Sequence, residues 1–102
     1  MRILIADQNA DQRELIKRIC TGHWIREAKH STEVLAKCKD FDLIFTDVWF
    51  PGLGGMIYLH QLHKKTKAKI VVVSTGESHG LNDYIRKPFK RSQIDEYLTE
   101  GN

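Results

Sequence analysis

An α/β chain with a parallel sheet covered by helices on both faces is the architecture this sequence predicts, on three observations. Short apolar runs alternate strictly with amphipathic stretches of helical period, and strand–helix alternation builds parallel sheets. Most of these runs are continuously apolar, as strands buried on both faces are. Polar residues able to do chemistry recur at the C-terminal ends of the runs, where open parallel sheets bind ligands.

Ile3–Ala6 reads as a buried strand. Residues 11–20 follow as a helix, with Leu15, Ile16 and Ile19 on one face. Residues 24–28 form a weaker strand. Residues 31–39 form a second helix, with Ser31, Thr32 and Glu33 offering caps and Val34, Leu35 and Cys38 an apolar stripe. Residues 41–46 are a strongly apolar strand ending at Asp47. Pro51-Gly52-Leu53-Gly54-Gly55 is a loop by composition. Residues 56–65 are a third helix, with Met56, Leu59 and Leu62 expected inward. Residues 70–73 are the most β-branched run and suit a central strand. Residues 84–86 give a short fifth strand, and residues 92–99 a closing helix with Ile94, Tyr97 and Leu98 apolar.

One interval breaks the pattern. A parallel crossover needs roughly a dozen residues, commonly with a helix. Between Ser74 and Tyr84 lie only Thr75 to Asp83, with two glycines and almost nothing apolar. A loop is expected there, leaving one sheet face partly uncovered.

The 102 residues suit one domain spanning 1–102 with no output domain. A content of 41% hydrophobic and 28% charged residues is ordinary for a globular chain. No apolar run approaches the ~20 residues that span a bilayer; no membrane contact is expected, and a cytoplasmic location is the default. Cys20 and Cys38 read as small buried residues rather than a disulfide or metal pair. The net charge of +3 permits an anionic partner without demanding one, and the basic run from His63 to Lys69 reads as a helix end rather than a nucleic-acid site. His60 and His63 lack a third ligand for zinc.

Four polar sets follow strands: Asp7 with Gln8, Asp47, Ser74 with Thr75, and Lys87 before Pro88. They make chemical sense together. A carboxylate can attack a phosphoryl group, a divalent cation bound through oxygen offsets phosphoryl charge, and a cation and a hydroxyl can hold the phosphoryl oxygens.

Ile3-Leu4-Ile5-Ala6-Asp7, Asp42 to Asp47 leading into Pro51-Gly52, Val71-Val72-Val73-Ser74, and Asp83-Tyr84-Ile85-Arg86-Lys87-Pro88-Phe89 resemble, in order and over nearly the whole chain, the receiver domains of two-component response regulators. The resemblance implies a CheY-like, flavodoxin-like sheet of five strands. It implies Asp47 as phospho-acceptor, Ser74 as switch hydroxyl, Tyr84 as switch aromatic, Lys87 as phosphate-binding lysine, and a cis Lys87-Pro88 bond. It implies magnesium held by Asp7, Gln8, Asp47 and the backbone carbonyl of Trp49, and a histidine kinase or phosphotransfer protein as donor. Any chemistry would be self-phosphorylation and autodephosphorylation through Asp47; the chain is otherwise no enzyme.

Three departures stand out. Gln8 replaces the second acid of the usual pair, so magnesium is expected to bind weakly. Gly54 stands where an acid is common. The helix that the family places between the fourth and fifth strands is missing, so the surface read by partners must differ. A stand-alone phosphorelay receiver is the reading these residues favour. The alternative is a degenerate receiver that binds a protein, or a second copy of itself, regardless of phosphate.

Overall fold

The computed structural model describes residues 1–99. Five strands, β1 (Arg2–Ala6), β2 (Trp24–Ala28), β3 (Leu43–Thr46), β4 (Lys69–Ser74) and β5 (Tyr84–Arg86), alternate with α1 (Ala10–Ile19), α2 (Ser31–Lys37), α3 (Gly55–Lys65) and, after β5, α4 (Arg91–Thr99). All pairings are parallel, in the order β2-β1-β3-β4-β5. This is the flavodoxin-like order expected from the sequence, with β1 and β3 diverging at the point where such sheets place their ligand site.

The period-2 alternation of a strand sends its side chains to two cores. Leu4, Ala6, Ile44, Ile70 and Val72 pack under α2 and α3 with Val34, Leu59 and Leu62. Ile3, Ile5, Phe45, Val71, Val73 and Ile85 pack under α1 and α4 with Ile16 and Ile94. Both sides are filled, so the positions that β1, β3 and β4 bury are apolar except at the C-terminal ends of β3 and β4, where Thr46 and Ser74 are buried. Cys20 and Cys38 are free and buried. Burial, seconded by Asp95, pushes the Cys20 thiol up to about 12, so it stays protonated and unreactive near neutral pH.

Helix boundaries follow their caps. The Asn9 side chain accepts from the N–H groups of Asp11 and Gln12 at 2.8 and 3.1 Å, which starts α1 one residue earlier than its periodicity suggests. At α2 the three expected caps do not act as such. His30 holds the cap position, and Glu33 reaches back to the Lys29 N–H at 3.1 Å. The helix ends at Lys37, and Cys38–Asp40 tighten into a 3-10 turn.

The third helix is rotated from its expected face. Tyr58, Leu59 and Leu62 are buried, whereas Met56 and Ile57 are 56% and 69% exposed. Tyr58 sits four residues before Leu62, on the same helical row, and its ring packs edge-on against Phe50.

The link from Thr75 to Asp83 contains no helix. Gly76, His79 and Gly80 all have left-handed φ (85°, 51° and 81°), which a helix cannot accommodate. The sheet face below is not bare. Leu81 folds inward against the α2–α3 core, Val72 and Ile70 stay buried, and a cavity of about 320 Å³ opens between α3, the link and Tyr84.

At the opposite edge of the sheet, Trp24 on β2 lies between two guanidinium groups. The Arg2 and Arg26 carbons sit 3.8 and 3.9 Å from the ring centroid, and Phe41 packs against it.

Candidate functional site

The backbone delivers the expected residues to one place. Asp7 and Asp47 stand just past β1 and β3, each fixed by its own N–H, to the Ala28 and Ala6 carbonyls at 3.1 and 2.9 Å. Lys87 stands just past β5, its N–H bonded to the Ser74 carbonyl at 2.8 Å, and the Lys87-Pro88 bond is cis. Parallel register does the rest, because equivalent strand ends must share an edge.

The side chains close into one cluster. The Lys87 ammonium donates to Asp7 Oδ2 at 2.5 Å and to Asp47 Oδ2 at 2.7 Å. The Ser74 hydroxyl, itself buried, donates to Asp47 Oδ1 at 2.6 Å. That same oxygen accepts from the N–H groups of Val48 at 2.6 Å and Trp49 at 3.2 Å. Asp47 is therefore asymmetric: Oδ1 takes three donors, and Oδ2 takes only the ammonium. Oδ2 keeps lone-pair capacity, and it is the atom of this carboxylate free to act on an electrophile.

Charge follows geometry. Burial works against ionising Asp47. The hydrogen bonds from Lys87, Ser74 and Trp49, with the Lys87 charge, outweigh it and hold the carboxyl below its ordinary value. Burial likewise works against the Lys87 ammonium, but the bonds to Asp47 and Asp7 win and hold its pKa above the ordinary range. Both groups are thus charged at neutral pH.

Two residues that the periodicity did not single out support the cluster. Arg13, buried on α1, donates to the carbonyls of Asp7 and Gln8 at 2.7 and 3.3 Å and to Glu27 at 3.0 Å, so it staples the loop after β1 to β2. Its signal was available: Arg13 lies three residues before Ile16, on the buried row. Tyr58 is the second. Thr46 gives its one proton to the Asp47 carbonyl at 2.7 Å, so the Tyr58 hydroxyl is the donor in their 2.8 Å bond. Burial pushes Tyr58 up, so it keeps that proton.

Gln8 and Trp49 line the same open depression as Asp7, Asp47 and Lys87, about 460 Å³ in volume, with Trp49 61% exposed. Asp7 spends its second oxygen on the Asn9 N–H at 2.9 Å. The donor set fits a hard divalent cation, because two carboxylates already converge on one positive charge and amide oxygens lie beside them. It is thin, however: among the described residues no three carboxylate, histidine or cysteine groups gather for a metal. Tyr84 is brought near but not into the cluster. Its hydroxyl shares one proton between the Thr75 and Gly76 carbonyls, at 3.0 and 2.9 Å, and so pins the start of the link.

Gly54 also gains a reason. A Cβ there would lie 2.6 Å from the Phe50 carbonyl oxygen and 2.9 Å from that of Val48. The loop after Asp47 is folded too tightly for the acid that the resemblance led one to expect.

Comparison with known proteins agrees with this fold. Residues 3–99 match the response regulator receiver domain family. The chain is 31% identical to the chemotaxis protein CheY of Thermotoga maritima, covering 97% of this chain and 95% of that protein. It is 28% identical to the transcriptional regulatory protein ResD of Bacillus subtilis, over 91% of this chain but only 44% of ResD. The chain thus spans about half the length, or less, of the transcriptional regulators it matches. Among solved structures, a CheY-like receiver domain protein from Methanospirillum hungatei superposes with a TM-score of 0.83 at 26% identity, over 97% of this chain and 90% of that one. The receiver domain of Saccharomyces cerevisiae Ssk1, crystallised with the histidine phosphotransfer protein Ypd1, shares the fold with a TM-score of 0.81 at 21% identity, over 97% and 86%.

Proposed function

The chain belongs to the response regulator receiver family, and from that premise we propose that it accepts a phosphoryl group on Asp47 and relays its state by protein contact. The observation that carries the reading is the asymmetry of Asp47, with Oδ1 saturated and Oδ2 held ready beside Lys87.

The donor is a phosphohistidine on a histidine kinase or phosphotransfer protein. Asp47 Oδ2 attacks phosphorus, an O–P bond forms, the P–N bond breaks, and the histidine nitrogen leaves with the electron pair and is protonated. Lys87 is already within reach of Oδ2 and follows the charge onto a phosphoryl oxygen. The Ser74 hydroxyl turns from Oδ1 to another phosphoryl oxygen, which pulls the start of the link with it. Phosphorylation thereby biases one of two conformations through contacts that exist in only one of them.

Magnesium would be held by the Asp7 and Asp47 carboxylates, the Gln8 side chain and the Trp49 carbonyl, and would neutralise phosphoryl charge. Gln8 supplies an oxygen without charge, so the binding is weak. The thin donor set also favours a second reading, a binding module indifferent to phosphate.

Beryllofluoride with millimolar magnesium, followed by amide NMR, separates the two. Saturable shifts around Asp7, Asp47, Ser74 and Lys87 that vanish in Asp47→Asn are expected. A spectrum unmoved at saturating reagent would rule out the acceptor role and leave the binding module.

A further inference from the structure

Asp7 and Gln8 form the metal side of the depression, and the backbone beneath them is held from behind by a buried cation. Arg13 is only 7% exposed. Burying a guanidinium costs stability unless its hydrogens find partners. Here Nη1 serves the Asp7 carbonyl at 2.7 Å and the Gln8 carbonyl at 3.3 Å, while Nε serves Glu27 Oε1 at 3.0 Å. Those two carbonyls belong to successive peptide planes, so a single nitrogen grips both.

Glu27 anchors the other end. It stands on β2 opposite Ile5, one step before the Ala6 and Ala28 pair from which β1 runs into the loop. Its second oxygen meets Lys17 at 3.6 Å. A guanidinium is rigid and planar, so tying Nε to the sheet fixes where Nη1 points. Asp7 is thereby held at both ends, its N–H on the Ala28 carbonyl and its own carbonyl on Arg13. Its carboxylate accepts one bond on each oxygen, from Asn9 and from Lys87, and keeps a lone pair on each for a metal. The aim of those lone pairs, and of the exposed Gln8 side chain, follows from the peptides that Arg13 holds.

A fixed cation also repels a second one. Position and charge thus predict opposite signs for the loss of Arg13: looser metal binding if its grip matters more, tighter binding if its charge does.

We propose that Arg13 is a positioning residue for the divalent cation: by holding the Asp7 and Gln8 carbonyls it aims both side chains into the depression, and this outweighs the repulsion from its charge. The proposal rests on the magnesium reading of the site and names a residue on which that affinity depends.

Magnesium titrations followed by amide NMR at residues 7–9 and 47–49 test it, with urea denaturation giving the stability of each protein. Arg13→Lys keeps the charge and loses the planar fork; Arg13→Met loses both. Each is expected to bind magnesium about 10-fold more weakly than the intact chain, the usual cost of removing a group that orients metal ligands. Nitrogen-15 relaxation of metal-free Arg13→Lys should show greater motion at Gln8 and Asn9. Ile70→Val trims the core on the other face of the sheet, costs stability, and should keep the intact chain's affinity. Tighter binding by Arg13→Met would overturn the proposal in favour of charge. Unchanged binding by Arg13→Lys would overturn it too, as would equal weakening in Ile70→Val, which would trace the effect to lost stability alone. Should Arg13→Met fail to fold, Arg13→Lys decides by itself. An intact chain that gives no magnesium shifts would overturn the metal reading and this proposal with it; a magnesium response that the variants leave unaltered overturns the proposal only.

Discussion

At the scale of single residues, the site is an internal ion cluster: one ammonium shared by two carboxylates. Its pH dependence has a definite sign. Asp47 titrates below its unfolded value of ~3.9, so the unfolded chain binds the extra proton first. The Asp47 contribution is complete above that value and is lost as pH falls through the depressed pKa. Lys87 titrates above its unfolded value of ~10.4, so its contribution is complete below that and is lost as pH rises through the raised one. Urea denaturation across acid pH should show stability falling below about pH 4, and less steeply in Asp47→Asn. Equal slopes in both proteins would mean that the cluster does not couple to folding. Lys87→Met should destabilise the fold by about 2 kcal/mol, because it leaves two carboxylates facing each other with little solvent. Gln8→Asp adds a negative oxygen donor and should tighten magnesium binding about tenfold or more, as read from the magnesium dependence of the amide spectrum.

At the scale of elements, the loops after β1 and β3 are set by local chemistry that can be cut one bond at a time. Asn9→Ala removes the side-chain cap of α1 and should cost about 1 kcal/mol in a urea titration. Gly54→Ala forces a methyl group against two backbone carbonyls and should cost about 1–3 kcal/mol while displacing the Val48 and Trp49 amides that hold Asp47. An unchanged amide spectrum in Gly54→Ala would show that the loop can yield.

These elements also mark where the sequence could be read. Strand ends with polar residues located Asp7, Asp47, Ser74 and Lys87, because parallel register leaves them no other place to meet. The nine-residue link was legible as a loop from its length and glycines. The face of α3 was not. Met56, Leu59 and Leu62 make as good an apolar row as Tyr58, Leu59 and Leu62, and only the Thr46 hydroxyl bond and the Phe50 ring decide between them. The spacing of Arg13 to Ile16 put it on the buried row, but what it supports was not legible, since the carbonyls it serves come together only in the fold.

At the scale of the whole molecule, a central trio of strands is buried on both faces while the two flanking strands are not. Amide exchange should therefore be slowest in β1, β3 and β4 and fastest at β2, β5 and the link, in keeping with opening from the edges inward.

The stacked Trp24 has a consequence of its own for how such molecules behave when crowded. An open sheet ends in unpaired N–H and C=O groups that can recruit a strand from another molecule and seed a fibril. Here the outer strand β2 carries Arg26 stacked on Trp24, with Arg2 of the adjoining β1 on the same ring, and a second copy brought edge to edge would meet like charge with like. The other edge, β5, offers three residues and is followed within two by Pro88, which has no N–H to give. Both margins of the sheet are poor templates, and polymerisation strand by strand finds no place to begin.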